Sequence, residues 1–153
     1  MLHLSAKTWD AICQHAQEIF PNECCGAILV KNDREEVRCI ANIQNSMHAK
    51  DPQQFPRDAT IAYYMDPKEL LAVNREVDSG KAALKALYHS HPKHDAYFSA
   101  EDKRQALFGD EPSYPDTTYL VISVYDREVR NIKAFQWDEV TKDFVETELS
   151  TNV

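Results

Sequence analysis

One short segment limits what this chain can become more than any other: the apolar run Ala83 to Tyr88, which passes without a break into His89-Ser90-His91-Pro92. A short apolar run of this kind suits a buried strand. Side chains two apart on a strand project to the same face, so His89 and His91 can address one ion. Pro92 has no N–H to extend a ladder and marks the strand's end. Six residues further on stands Ser99-Ala100-Glu101-Asp102, a helix opening that would deliver Asp102 from its first turn. Two imidazoles and one carboxylate suit Zn²⁺, and three protein ligands leave a fourth position open for chemistry. Zinc makes water acidic enough to ionise near pH 7.

Plainer readings exist for each half. Ser99-x-x-Asp102 is also a helix-capping box, in which both side chains merely satisfy backbone N–H groups. A histidine pair spaced H-x-H is often incidental. The conjunction is what carries weight: two histidines at strand spacing, a proline stop and an acid on the next helix rarely meet by chance.

Around this segment the chain alternates helical and strand patterns. Ser5 caps a first helix whose apolar face is Trp9, Ile12, Cys13, Ala16, Ile19 and Phe20, with Pro21 ending it. Gly26 to Val30 reads as a buried strand, Asn32-Asp33 as a turn and Val37 to Ile43 as its hairpin partner. Gln44 to Thr60 is polar, holds Pro52 and Pro56, and reads as a long loop. Asp66-Pro67-x-Glu69 opens a helix that continues through Leu70, Val73 and Val77 to Gly80. Glu111 to Asp116 reads as a loop. Tyr119 to Val124 is an apolar strand, Asp126 to Glu128 a turn, Val129 to Trp137 a strand, and Phe144 to Leu149 an edge strand. Helices and strands intermix along one chain without a linker or repeat, so a single mixed α/β domain over residues 1–153 is expected.

The 153 residues carry a formal net charge of -8, and no Lys/Arg run offsets it. Phosphate-driven nucleic-acid binding is therefore not expected. No stretch approaches a membrane span. Met1 to Asp10 includes Lys7, Trp9 and Asp10 and does not read as a signal peptide, which sets the expectation of a cytoplasmic protein. Cys13, Cys24, Cys25 and Cys39 contain no C-x-x-C pair and are expected to be buried thiols. His94 and Asp95, between the two halves of the motif, are expected at the surface, and His15 on an exposed face of the first helix.

The string His89-x-His91-Pro92-x6-Ser99-x-x-Asp102 resembles the signature of the JAMM (JAB/MPN) metallopeptidases, and Pro21-Asn22-Glu23-Cys24-Cys25-Gly26 is similar to the upstream element of the prokaryotic stand-alone members. Softer matches run in the same order: Phe55, Asp66-Pro67, Tyr114-Pro115 and Lys133-Ala134-Phe135. The resemblance implies an MPN/JAB fold, a curved mixed sheet flanked by helices in a deaminase-like α-β-α arrangement. It also implies one Zn²⁺ held by His89, His91 and Asp102, Glu23 as general base and Ser99 as oxyanion donor. A nucleobase deaminase on the same architecture would need H-x-E and P-C-x-x-C, and neither is here.

As substrate the resemblance implies a ubiquitin-like or sulfur-carrier protein with a Gly-Gly tail, cut after the second glycine in processing or deconjugation. The alternatives are a metal-free MPN scaffold that only binds partners, or a peptidase of phage tail assembly. The oligomeric state is not legible.

Overall fold

In the computed structural model, which describes residues 1–152, the elements run β1 (Leu2–Leu4), α1 (Ala6–Ile19), β2 (Cys25–Lys31), β3 (Arg34–Ile40), α2 (Gln44–Lys50), α3 (Pro67–Asp78), β4 (Ala83–Pro92), α4 (Ala100–Ala106), β5 (Leu107–Phe108), β6 (Glu111–Pro112), β7 (Thr118–Tyr125), β8 (Glu128–Asp138), β9 (Asp143–Thr147) and β10 (Leu149–Thr151). Six strands form a mixed sheet in the order β3-β2-β4-β7-β8-β9. Only β4 and β7 pair in parallel within it, and the other neighbours are antiparallel.

Period-two alternation sorts the core. On β4, Ala86 and Tyr88 face one cluster, which includes Ile12 and Ala16 of α1. Leu87 faces the other, with Val73 of α3 and Ala106 of α4. The same split recurs on β7, where Leu120, Ile122 and Val124 face α1 while Tyr119 and Val121 face the opposite side. Helices thus cover both faces, and burying Val73 alone is worth roughly 1.5–3 kcal/mol. His89 and His91 continue the Leu87 row, so the motif lies on the face covered by α3 and α4.

The caps match their sequence signals. Ser5 accepts from Thr8 N at the start of α1, and Asp66 accepts from Lys68 N before Pro67. Asn32 and Asp33 both have positive φ, as do Asp126 and Arg127, which fits tight hairpin turns.

Four expectations need correction. The polar stretch 44–60 is not a simple loop: it opens with α2, and its remainder is pinned back on that helix. Gln44 Nε2 donates to Arg57 O (2.9 Å), Ala59 N donates to Asn45 Oδ1 (2.8 Å), and His48 Nδ1 lies 2.6 Å from Phe55 O. The predicted edge strand splits in two: β9 pairs with β8, whereas β10 turns away to pair in parallel with β1, which carried no sequence signal. The expected loop after α4 includes the short β6. Finally, His15 is half-buried, its Nδ1 lying 2.7 Å from Tyr88 Oη.

Tyr88 lies across Gly26, its Cα partner on β2. A Cβ on Gly26 would sit 2.4 Å from Tyr88 Oη and 2.6 Å from the Arg38 carbonyl oxygen. The second atom is backbone and cannot step aside. Gly26→Ala is therefore expected to destabilise by about 3 kcal/mol, lowering Tm by roughly 6–12 °C in calorimetry.

Glu35 ties three elements together: Oε2 accepts from Lys85 Nζ (2.5 Å) and Oε1 from Ser5 N (2.9 Å) at the cap of α1. Burial pushes its carboxyl up, but bonds from Lys85, Thr8 and Ser5 outweigh that and hold it at about 2. A folded pKa below the unfolded one means stability that is complete above the unfolded value and lost as pH falls through the folded one. Urea midpoints should thus drop between about pH 5 and pH 2, and Glu35→Gln should flatten that drop by ~1–2 kcal/mol after solvent screening.

Candidate metal centre

The end of β4 and the first turn of α4 meet where the motif requires. His89 Nε2 and His91 Nε2 are 3.2 Å apart, and each lies 3.1 Å from Asp102 Oδ2. All three residues are buried. Two ring nitrogens facing each other and one carboxylate oxygen repel unless a proton or a cation sits between them. Ligand atoms on one tetrahedral zinc are about 3.3–3.4 Å apart, given bonds of 2.0–2.1 Å, so the spacing fits such an ion closely.

The surroundings prepare these donors. His91 Nδ1 lies 2.9 Å from Asp95 O, so that nitrogen carries the proton and Nε2 presents its lone pair. Burial holds the His89 pKa down against the opposing charge of Asp102, which keeps the ring neutral. Burial alone would raise the Asp102 carboxyl, but His89 and then His91 reverse this and hold it well below the usual carboxylate range. A neutral imidazole and an ionised carboxylate are the forms that bind metal.

Ser99 and Asp102 do form the capping box: Ser99 Oγ accepts from Asp102 N and Asp102 Oδ2 accepts from Ser99 N, both at 3.0 Å. The capping and site readings are therefore compatible. The cap occupies a lone pair of Ser99 Oγ and leaves its hydroxyl proton free to donate.

Glu23 lies beside β2 and is only 5% exposed. Its carboxylate is within 4.8 Å of the ligand nitrogens of His89 and His91, yet Oε1 is buried without a hydrogen-bond partner among the described residues. Asp102 Oδ2 is 3.1 Å from both histidine nitrogens, so two carboxylates border the imidazole pair. Burial, then the charge of Asp102, pushes the Glu23 carboxyl well above its ordinary value. That is the condition of a proton acceptor able to work near neutral pH.

Backbone anchors hold Glu23 there. Glu23 N donates to Ala59 O (2.7 Å), and Cys24 N donates to Ser90 Oγ (2.7 Å), so the serine between the two histidines fixes the residue after the glutamate. Asn42 Nδ2 donates to Glu23 O (2.9 Å) and to Ala62 O (3.2 Å), while its Oδ1 accepts from Gln44 N and Tyr64 N. The sequence offered no signal for Asn42. Nor did it single out Tyr63, whose ring stacks on His89 with centroids 4.5 Å apart, or Tyr97, set edge-on to His91 at 5.2 Å.

His94 and Asp95 are exposed as expected, but the Asp95 carbonyl orients His91 and His94 borders the cleft. That cleft, about 220 Å³, is also lined by Glu23, Arg57, Ile61, His91, Tyr97 and Ser99. Of the cysteines, Cys24 and Cys25 are buried, Cys13 is half-buried and Cys39 is exposed, which corrects the expectation for the last two. Burial pushes the Cys24 thiol up to about 12, so it is a poor nucleophile beside Glu23.

Residues 5–138 match the sequence profile of the prokaryotic homologs of the JAB domain. The desampylase of Haloferax volcanii is 30% identical over 126 residues, 80% of this chain and 80% of that protein. A protein of Desulfitobacterium hafniense solved in solution shares 25% identity at a TM-score of 0.71, with 99% of this chain and 93% of that one covered. A JAB1/MPN domain protein from Archaeoglobus fulgidus, 15% identical with 99% and 98% covered, has the same fold at a TM-score of 0.53. No helix among the described residues is long and apolar enough to cross a membrane.

Proposed function

The chain belongs to the family of prokaryotic JAB-domain homologues, and from that premise we propose that it is a zinc isopeptidase, one domain over residues 1–153, that cleaves after the C-terminal Gly-Gly of a small ubiquitin-like or sulfur-carrier protein. The observation that carries this reading is the convergence of His89, His91 and Asp102 at 3.1–3.2 Å beside a buried Glu23 whose Oε1 has no hydrogen-bond partner among the described residues. The similarity to a desampylase supports a ubiquitin-like modifier as the substrate class.

His89, His91 and Asp102 would hold the ion, and zinc bound there would supply Lewis acidity and make water easier to ionise. Glu23 takes a proton from the attacking water as the new C–O bond forms, then returns it to the amine nitrogen as the C–N bond breaks. The products are a Gly-Gly carboxylate and a free amine. Ser99 donates its free hydroxyl proton to the oxyanion, an interaction worth about 3 kcal/mol when preorganised. Ile61 and Tyr97, both exposed, line the cleft beside Glu23 and Ser99, where their side chains would disfavour a substrate residue larger than glycine.

A carrier protein whose tail is extended beyond Gly-Gly should be cut after the second glycine. Replacing that glycine by alanine should lower kcat/KM by about 10-fold or more, since a methyl group overfills the cleft. Mass spectrometry locates the cut and initial rates give the ratio. Equal rates on both tails would remove this account of specificity and leave the metal chemistry standing.

A further inference from the structure

A second cavity, about 360 Å³, opens on the same face of the sheet as the histidines, between α3, α4 and residues 63–65. Leu70, Leu87 and Ala106 supply apolar wall, Gln105 one amide, and no acid or base lines it. Tyr63 and Tyr119 complete it, 7% and 3% exposed, and neither hydroxyl has a hydrogen-bond partner among the described residues. Their neighbour Tyr114, by contrast, donates to Asn74 Oδ1 at 3.2 Å. A phenol carries its proton at neutral pH and can donate it. Two phenol hydroxyls without a protein acceptor, on residues that line an uncharged cavity, suit a ligand that brings the acceptor.

The cavity is joined to the metal centre by shared walls. Tyr64 and Gln105 border both it and a narrower cleft, and Arg57 borders that cleft and the one holding Glu23, His91 and Ser99. Leu87 precedes His89 by two residues on β4, a step of about 6.6 Å along the strand. An extended tail covers the same step in two residues, which leads from the glycine at the scissile bond to the residue just before the Gly-Gly pair.

We propose that this cavity receives the side chain of the substrate residue immediately preceding Gly-Gly and selects a large neutral one, tyrosine above phenylalanine, and both above alanine or lysine. The inference rests on the Gly-Gly reading of the site. Size favours the aromatic ring, the absence of a counter-charge disfavours lysine, and the two hydroxyls favour a tyrosine oxygen over a bare phenyl edge.

The test uses acetyl-Xaa-Gly-Gly peptides, with Xaa as Tyr, Phe, Ala or Lys, titrated by calorimetry into the zinc-loaded chain. The same peptides carrying a C-terminal aminocoumarin amide give kcat/KM. Tyr should bind about 10-fold or more tightly than Ala or Lys. Ala106→Leu, which fills the cavity, should bring Tyr down to the Ala level and leave the Ala peptide unchanged. Tyr119→Phe, which keeps the shape, should narrow the gap between Tyr and Phe and decides the matter if Ala106→Leu does not fold. Equal affinity for all four peptides, or a Tyr preference that survives both variants, overturns the proposal. The predicted order of binding without cleavage of any Gly-Gly amide supports the cavity's role and overturns the proposed reaction instead.

Discussion

Replacing Glu23 by Gln is expected to leave bound metal in place and to lower turnover by about 10²-fold or more. The amide keeps the size of the carboxylate in a site that is 5% exposed, so packing is conserved. What it loses is the capacity to accept a proton. The carboxylate suits that task because burial and the nearby charge of Asp102 push its pKa up towards working pH. Its Oε1 is buried without a hydrogen-bond partner among the described residues, so no bond there has to be broken first. Stopped assays on a Gly-Gly tail, alongside metal analysis of the same sample, separate the two effects. Full turnover in Glu23→Gln would require another base.

The larger effect is expected at the ligands. Asp102→Ala should lose metal and activity together, and His91→Ala should do the same. Asp102 Oδ2 lies 3.1 Å from both imidazoles, and removing it leaves two neutral nitrogens 3.2 Å apart with only the Glu23 carboxylate nearby to offset a dication. Loss of the metal removes the Lewis acid altogether, so activity should fall to the assay limit. Because Asp102 also accepts from Ser99 N in the capping box, the substitution should cost about 1 kcal/mol of stability as well. Asp102→Asn, which can keep the cap, separates that cost from the loss of metal.

The parts of this fold that were legible in the sequence are those written in local patterns. The Leu87-His89-His91 row follows from alternation, its end from Pro92, and the opening of α4 from Ser99 and Asp102. Helix α1 showed its apolar stripe and its serine cap. Helix α2 showed neither: Gln44-Asn45-Ser46-Met47-His48-Ala49-Lys50 has no apolar period, and no side chain caps it. It is held by bonds to residues 55–59, and such bonds depend on tertiary placement. Ala59, in the same segment, holds the backbone of Glu23. The stretch 44–60 is therefore part of the support of the site as well as a wall beside it. The pairing of Leu2–Leu4 with Leu149–Thr151 was equally hidden, since three-residue strands at opposite ends of a chain carry no periodic signal. Within the site, the motif named Glu23, His89, His91, Ser99 and Asp102 as expectations, and the structure brings these side chains close to one another. Tyr63 and Asn42 orient or pack those residues from unrelated positions in the chain, and a single sequence gives no hint of that.

The most direct measurement is the metal content of the purified chain, taken with its activity on a Gly-Gly tail before and after a chelator. The account predicts about one zinc per chain, activity that disappears on chelation and returns with one equivalent of zinc, and neither zinc nor activity in Asp102→Ala. A metal-free chain that cleaves the tail at an undiminished rate would contradict it.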